Sequence, residues 1–272
     1  MPAATLWTVG VLAAGLLLSG SLLGSRALRR RLFAGERPPM PCWSGADVML
    51  VLGLTLVGLG AFQLAAFALG IGGEVGHGES SPLGQLLLGV SPELIAVLAL
   101  VATLRVRTRK LSEALGLGSS DPGRDAGRGL VAYLASYPLV LAAILLWMQT
   151  LTRSGVELRP QEVVTILVAD QPWPSIAVSM ALAVFVIPAI EEMLFRGFLL
   201  PTVAQRTGPV AAVLVVGLLF GLLHGWQHAG PTFALGVLLG WLYWRTGSLW
   251  VAVGCHGAHN AVMLVTAWLS LS

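Results

Sequence analysis

Glutamate, arginine, histidine and asparagine recur at helical spacings in the last hundred residues, inside stretches that are otherwise apolar. One stretch reads IPAIEEMLFRGFLLP and carries Glu191, Glu192 and Arg196. A second reads LLFGLLHG, with Phe220 four residues before His224, and a third reads VGCHGAHNAV, with His256 and Asn260 also four apart. These residue types suit hydrolysis. A carboxylate takes a proton from water, imidazoles orient that water or bind a metal, and an amide donates to a developing oxyanion. Burial of a carboxyl in a low-dielectric cavity also favours its neutral form, which suits acid–base work. On a helix, Glu192 and Arg196 are i,i+4 neighbours and can pair, whereas Glu191 points about 100° away and is free to face something else. His256 and Asn260 project from one face, and His259 shares its edge.

Folding the chain back at its turns places these groups at one depth. Glu191 stands 16 residues before Thr207 and His224 stands 17 after it, so an antiparallel hairpin sets them level. Reflection of His224 through Gly230 falls at Gly236, and reflection of His256 through Gly247 falls at Leu238. The two differ by about 3 Å of helix rise. Three helices then contribute to one polar cavity. Pro201 threatens the first reflection, because proline can end a helix early.

The elements that must carry these residues are membrane helices. Of 272 residues, 56% are hydrophobic and only 11% charged, where a soluble domain carries about a quarter charged. The mean hydropathy is +0.82. Apolar runs of about 20 residues, long enough to span a hydrocarbon core, separate clusters of charge. Eight helices are expected, at about 5–24, 46–71, 85–104, 130–151, 176–200, 208–225, 231–246 and 249–270. The fold class is therefore an all-α polytopic bundle. The polar connectors are 25–45, 72–84, 105–129 and 152–175; SSDPGRDAGRG in the third reads as a solvated loop, and PQEVVTILVA in the fourth as a short interfacial helix.

Arginine placement sets the expected orientation. Arg26, Arg29, Arg30, Arg31 and Arg37 follow the first span, and Arg105, Arg107, Arg109, Lys110, Arg124 and Arg128 follow the third. The loop after the second span has Glu74 and Glu79 and no basic residue. By the positive-inside rule both termini face outside, and the first span is retained rather than cleaved. The net charge of +3 reports this orientation and gives no reason to expect nucleic acid as a partner. Trp7, Trp147, Trp226, Trp241, Trp244 and Trp250 lie near span ends as interfacial anchors.

Other polar residues are weighed against this background. Glu93, after Pro92, is a second intramembrane acid that lines the cavity, a substrate path or a structural contact. His228 follows His224 by four residues but lacks the glutamate of HExxH, and with His77 it reads as a loop residue. Cys42 and Cys255 form no CxxC and read as small apolar side chains. No HExxH, no GxSG serine context and no Walker A or GxGxxG sequence is present.

EEMLFR at 191–196 resembles the EExxxR motif of the CAAX-protease and bacteriocin-processing (CPBP, or Abi) family of intramembrane proteases. FGLLH at 220–224 is similar to its FxxxH motif, and HGAHN at 256–260 to its HxxxN motif. Each motif is weak alone; three in order on consecutive polar-bearing spans are strong. The resemblance covers about 161–266, which divides the chain into an N-terminal transmembrane region, 1–160, and a protease-like core, 161–272. It implies an intramembrane endopeptidase acting on membrane-associated proteins or peptides, in a bacterial inner membrane. Glu191 would activate the attacking water, with His224, His256 and Asn260 lining the site and Glu192, Arg196 and Phe220 supporting it.

The resemblance leaves the metal open: His224 and His256 are either zinc ligands or water-orienting groups, and the glutamate-base version is favoured. Two readings from other classes stand beside it. One is a non-catalytic membrane interaction or immunity protein. The other is a bis-histidine haem or metal carrier using His224 and His256.

Overall fold

Within a bilayer a backbone must satisfy its own N–H and C=O groups, so the apolar runs become helices. The structure is a computed structural model that describes residues 3–33, 35–69, 82–157 and 173–271. The helices are α1 (Ala3–Gly24), α2 (Arg26–Leu32), α3 (Gly45–Ala68), α4 (Pro82–Arg107), α5 (Leu111–Ala114) and α6 (Pro122–Arg153). Next comes α7, one rod made of Trp173–Ala181, a π-helical stretch Leu182–Val186, Ile187–Glu192, a second π-helical stretch Met193–Leu199, and Leu200–Thr207. It is followed by α8 (Pro209–Leu223), α9 (Ala229–Thr246) and α10 (Leu249–Leu271). No strand occurs among the described residues. Among the described residues, five helical segments are long and apolar enough to cross a membrane: Gly45–Ala68, Leu88–Arg107, Pro122–Arg153, Ile176–Thr207 and Leu249–Leu269, with Pro209–Leu223 a shorter apolar helix. The helical membrane bundle expected from composition is the fold observed.

Three boundaries differ from the expected ones, each for a local reason. The GRDAGRG segment is not a loop, because α6 begins at Pro122. Asp121 caps it by accepting from the Arg124 backbone N–H at 3.0 Å, and Pro122 occupies a position where its missing N–H costs nothing. The helix α7 passes through Pro201 and ends at Thr207, where Gly208 adopts φ +78 and turns the chain into α8. The helix α8 stops at Leu223, so His224 lies just beyond the helix body, before Gly225 at φ +87. The expected interfacial helix at 160–169, and Glu74, His77 and Glu79, lie outside the described residues.

In lipid, close van der Waals packing rather than expulsion of water holds helices together, and small residues permit it. A Cβ on Gly217 would lie 3.1 Å from the Val237 backbone nitrogen, and one on Gly221 would lie 2.6 Å from the Ala229 carbonyl oxygen. Those contacts draw α8 onto α9. Gly129 and Gly254 do the same between α6 and α10, where added Cβ atoms would collide with the Val251 carbonyl and with Ala126. The main core, including Tyr133, Leu200, Val216, Leu239, Tyr243 and Ala252, fills the space between α6, α7, α8, α9 and α10. A second cluster of Trp43, Leu100, Leu104, Leu115 and Phe198 ties α3 and α4 to α7. The Trp43 indole N–H donates to Thr202 Oγ1 at 2.8 Å and approaches the Phe198 carbonyl at 3.2 Å. Arg107 donates twice to Asp47 Oδ1, at 2.8 and 2.9 Å, which joins the end of α4 to the start of α3.

Candidate active site

The site is centred on α7, between its two π-helical stretches. Proline lacks an N–H and its ring crowds the carbonyl four residues earlier. Pro188 and Pro201 therefore leave the carbonyls of Val184 and Gly197 without their usual donors, and each of these carbonyls lies in a π-helical stretch. A π-turn widens the helix by one residue and re-aims the side chains that follow. Glu191 and Glu192 sit on the short α-helical piece between the two stretches.

Glu192 and Arg196 are both fully buried and pair through Oε1 and Nη1 at 2.8 Å. Arg196 Nη2 also donates to the Gly236 carbonyl at 3.1 Å, and its guanidinium carbon lies 4.3 Å from the centre of the Phe220 ring. The Glu192 Oε1 accepts a second bond, from His256 Nδ1 at 2.9 Å. That link crosses from α10 to α7 and has no counterpart in the spacing of either motif.

Glu191 turns away from this pair and faces two imidazoles. Its Oε1 lies 3.6 Å from His224 Nε2, and its Oε2 lies 3.6 Å from His256 Nε2. The other nitrogen of each ring is already engaged. His224 Nδ1 lies 2.7 Å from the Phe220 carbonyl oxygen, which can only accept, so Nδ1 carries the hydrogen. His256 Nδ1 likewise donates to the Glu192 carboxylate. In the neutral rings both Nε2 atoms therefore present lone pairs towards Glu191, a tautomer fixed from behind each ring. Phe220 packs on both imidazoles, with ring centres 4.4 Å from His224 and 5.6 Å from His256.

Asn260 is placed differently from a plain wall residue. Its Nδ2 donates to the Ala183 carbonyl at 2.8 Å, in the first π-helical stretch. Gly257 makes that approach possible, since a Cβ there would lie 2.6 Å from the Val184 carbonyl oxygen. One amide hydrogen of Asn260 thus ties α10 to α7, and the second remains for another acceptor. His259 Nδ1 lies 3.3 Å from the Tyr133 hydroxyl, with the two rings edge to face. Glu93, half-buried on α4, lies within electrostatic reach of Glu191, and its Oε2 has no hydrogen-bond partner among the described residues.

The structure thus brings together Glu191, Glu192, Arg196, Phe220, His224 and His256, with Asn260 one turn further along α10. Sequence reasoning missed the Glu192–His256 bond, the π-turns and the Asn260–Ala183 bond. The two prolines after the π-helical stretches were the available signal. Trp147 and Trp250, expected only as interfacial anchors, also clamp the bundle by donating to the Gln227 carbonyl at 2.7 Å and the Leu117 carbonyl at 3.1 Å. His228 is a turn residue before α9, Cys255 is buried and Cys42 is exposed, and neither cysteine is in a disulfide.

A buried carboxylate–imidazole cluster inside a helical membrane bundle marks a candidate functional site. Residues 173–262, a third of the chain, match the family described as type II CAAX prenyl endopeptidase Rce1-like. That segment contains the three motifs on which the resemblance rests. The Bacillus subtilis (strain 168) protein called "Putative membrane peptidase YdiL" is 28% identical over 79 residues, 29% of this chain and 32% of that protein. The chain thus matches about a third of that relative's length. No solved structure matches the chain. At the level of the family, these likenesses support a membrane protease.

Proposed function

We propose that the protein is an intramembrane endopeptidase in which Glu191 is the general base. One observation carries this reading: His224 and His256, from different helices, both aim Nε2 at the Glu191 carboxyl while their Nδ1 hydrogens are held elsewhere. Separations of 3.6 Å are too long for direct hydrogen bonds and suit groups that share a water. Glu191 takes a proton from that water as its oxygen attacks the scissile carbonyl. When the C–N bond breaks, Glu191 returns the proton to the leaving amine.

The two imidazoles have unequal support. His224 is backed by a neutral carbonyl, whereas His256 is backed by the Glu192 carboxylate. The Glu192 carboxylate behind Nδ1 fixes the His256 ring in one orientation, with Nε2 turned to the shared water. The free amide hydrogen of Asn260 is the donor available to the oxyanion. Arg196 holds Glu192 in place while Phe220 holds both rings. Two imidazoles and a carboxylate also have the chemistry of a zinc site. Among the described residues, however, no three His, Cys, Asp or Glu side chains are gathered to hold a metal, and no step above passes through one. The bis-histidine reading would need both Nε2 atoms on one metal, whereas each lies 3.6 Å from a Glu191 oxygen.

The substrate is a peptide segment that reaches the site from the bilayer. Purified protein reconstituted in liposomes, offered membrane-anchored peptides in H₂¹⁸O, should place one ¹⁸O in each new C-terminal carboxylate. Glu191→Gln, His224→Ala and His256→Ala should each abolish that product while the protein still inserts. Near-full turnover by any one of them would remove that residue from the proposed site. Failure of the wild type to cleave across the panel would favour the non-catalytic interaction reading.

A further inference from the structure

Away from the Glu191 site, one end of the bundle carries a half-open pocket. It has a volume of about 390 Å³ and is walled by Arg37, Pro209, Val210, Trp241, Trp244 and Arg245. Its location is set by three chain features. It lies where α8 starts, where the last turns of α9 end, and where the segment after α2 crosses between them. That crossing is close: a Cβ on Gly247 would lie 2.5 Å from the Glu36 carbonyl oxygen and 3.1 Å from that of Arg37. The backbone that carries Arg37 is therefore seated on the turn between α9 and α10.

We propose that this cavity binds the phosphate headgroup of an anionic glycerophospholipid. Arg37 and Arg245 both line it, and no carboxylate pairs with either among the described residues. The Arg245 guanidinium carbon lies 5.9 Å from the Trp241 ring centre, so the indole supports that cation from one side. The first turn of α8, at Pro209 and Val210, adds the positive end of a helix dipole. Paired arginine and tryptophan at a helix end belong at the depth of the headgroups. Arg26, Arg29 and Arg30 precede the cavity in α2, so it lies at the arginine-rich end of the bundle, where anionic lipid gathers.

The surface leading away from the cavity distinguishes a lipid from a free anion. Val210, Leu214 and Leu218 follow one another at i,i+4 spacing along α8 and are 61%, 46% and 50% exposed. An acyl chain attached to a phosphate in the cavity would lie on this stripe. None of these residues belongs to the Glu191 site, so the proposal stands whether or not the chain is a protease.

The test is native mass spectrometry of the delipidated full chain, titrated with phosphatidylglycerol, with phosphatidylcholine and with inorganic phosphate. The wild type should retain phosphatidylglycerol in preference to phosphatidylcholine. Arg37→Gln with Arg245→Gln should weaken phosphatidylglycerol by roughly tenfold or more, because each removes a charge-assisted contact to the phosphate. Arg29→Gln with Arg30→Gln removes the same charge from exposed α2 positions and should leave the affinity unchanged. Equal binding of the two lipids would overturn the proposal, as would an equal loss in the α2 control. Displacement of phosphatidylglycerol by inorganic phosphate at comparable concentration would make this a soluble-anion site and overturn the lipid assignment.

Discussion

Two adjacent glutamates in one short helical piece are held by opposite surroundings, and that contrast is the most testable feature of the site. Glu192 is fully buried and accepts from Arg196 and His256 through one oxygen. Removal of its charge leaves a buried guanidinium unpaired, at a cost on the order of 3–5 kcal/mol. Glu192→Gln should therefore lower the melting temperature and the turnover together, and adding Arg196→Met should restore part of the stability. Glu191→Gln removes a carboxyl that makes no close hydrogen bond, so stability should hold or rise while turnover stops. Melting curves and peptide turnover for the three variants in one detergent check this. A Glu191→Gln protein that is unstable but active would mean that the two roles are reversed. The Glu192–Arg196 pair was legible in the sequence because i,i+4 neighbours meet on any helix. The Glu192–His256 bond was not, because it joins residues 64 positions apart, and only the packing of α10 on α7 brings them together.

At the scale of elements, the π-turns and the glycines that face them decide whether the cluster forms. Asn260 Nδ2 and the Ala183 carbonyl close the gap between α10 and the first π-helical stretch. Asn260→Ala should cost about 1–3 kcal/mol by leaving a buried carbonyl without its donor. Gly257→Ala places a Cβ against the Val184 carbonyl, a backbone atom that cannot swing aside. It should cost about 1–3 kcal/mol and move His256 away from Glu191, reducing turnover beyond what the loss of folded protein explains. Full turnover per folded molecule in Gly257→Ala would show that this contact does not set the site. The helical membrane bundle and the order of its apolar helices were legible from the apolar runs, and the depth of the site from reflection at the turns. The count was not: eight spans were expected, and among the described residues five helical segments are long and apolar enough to cross. Local backbone geometry was less legible. Pro201 suggested an end to α7, yet the chain absorbs it as a π-turn, and the glycines of GRDAGRG suggested a loop where one of them, Gly129, allows α6 to approach α10.

Across the whole molecule, the motif-free N-terminal half helps to build the cavity. The helix α6 packs along α9 and α10, α4 lies against α7, and Tyr133 and Glu93 reach towards the site from them. A sequence motif cannot show this, since walls need only shape and burial and leave no fixed spacing. The arginine pattern predicts an orientation in which the segment around Ser120 is cytoplasmic. A Ser120→Cys variant, with Cys42 and Cys255 replaced by serine, should react with an impermeant maleimide only after the membrane is opened; labelling in intact cells would reverse the topology. The central claim, that Glu191 drives peptide hydrolysis within the membrane, is tested most directly by comparing peptide termini in two membrane preparations. One carries the wild-type protein and the other carries Glu191→Gln at equal abundance. The account predicts new termini from membrane proteins or peptides in the wild-type preparation, absent when Glu191 is glutamine. The same set of termini in both preparations would contradict it.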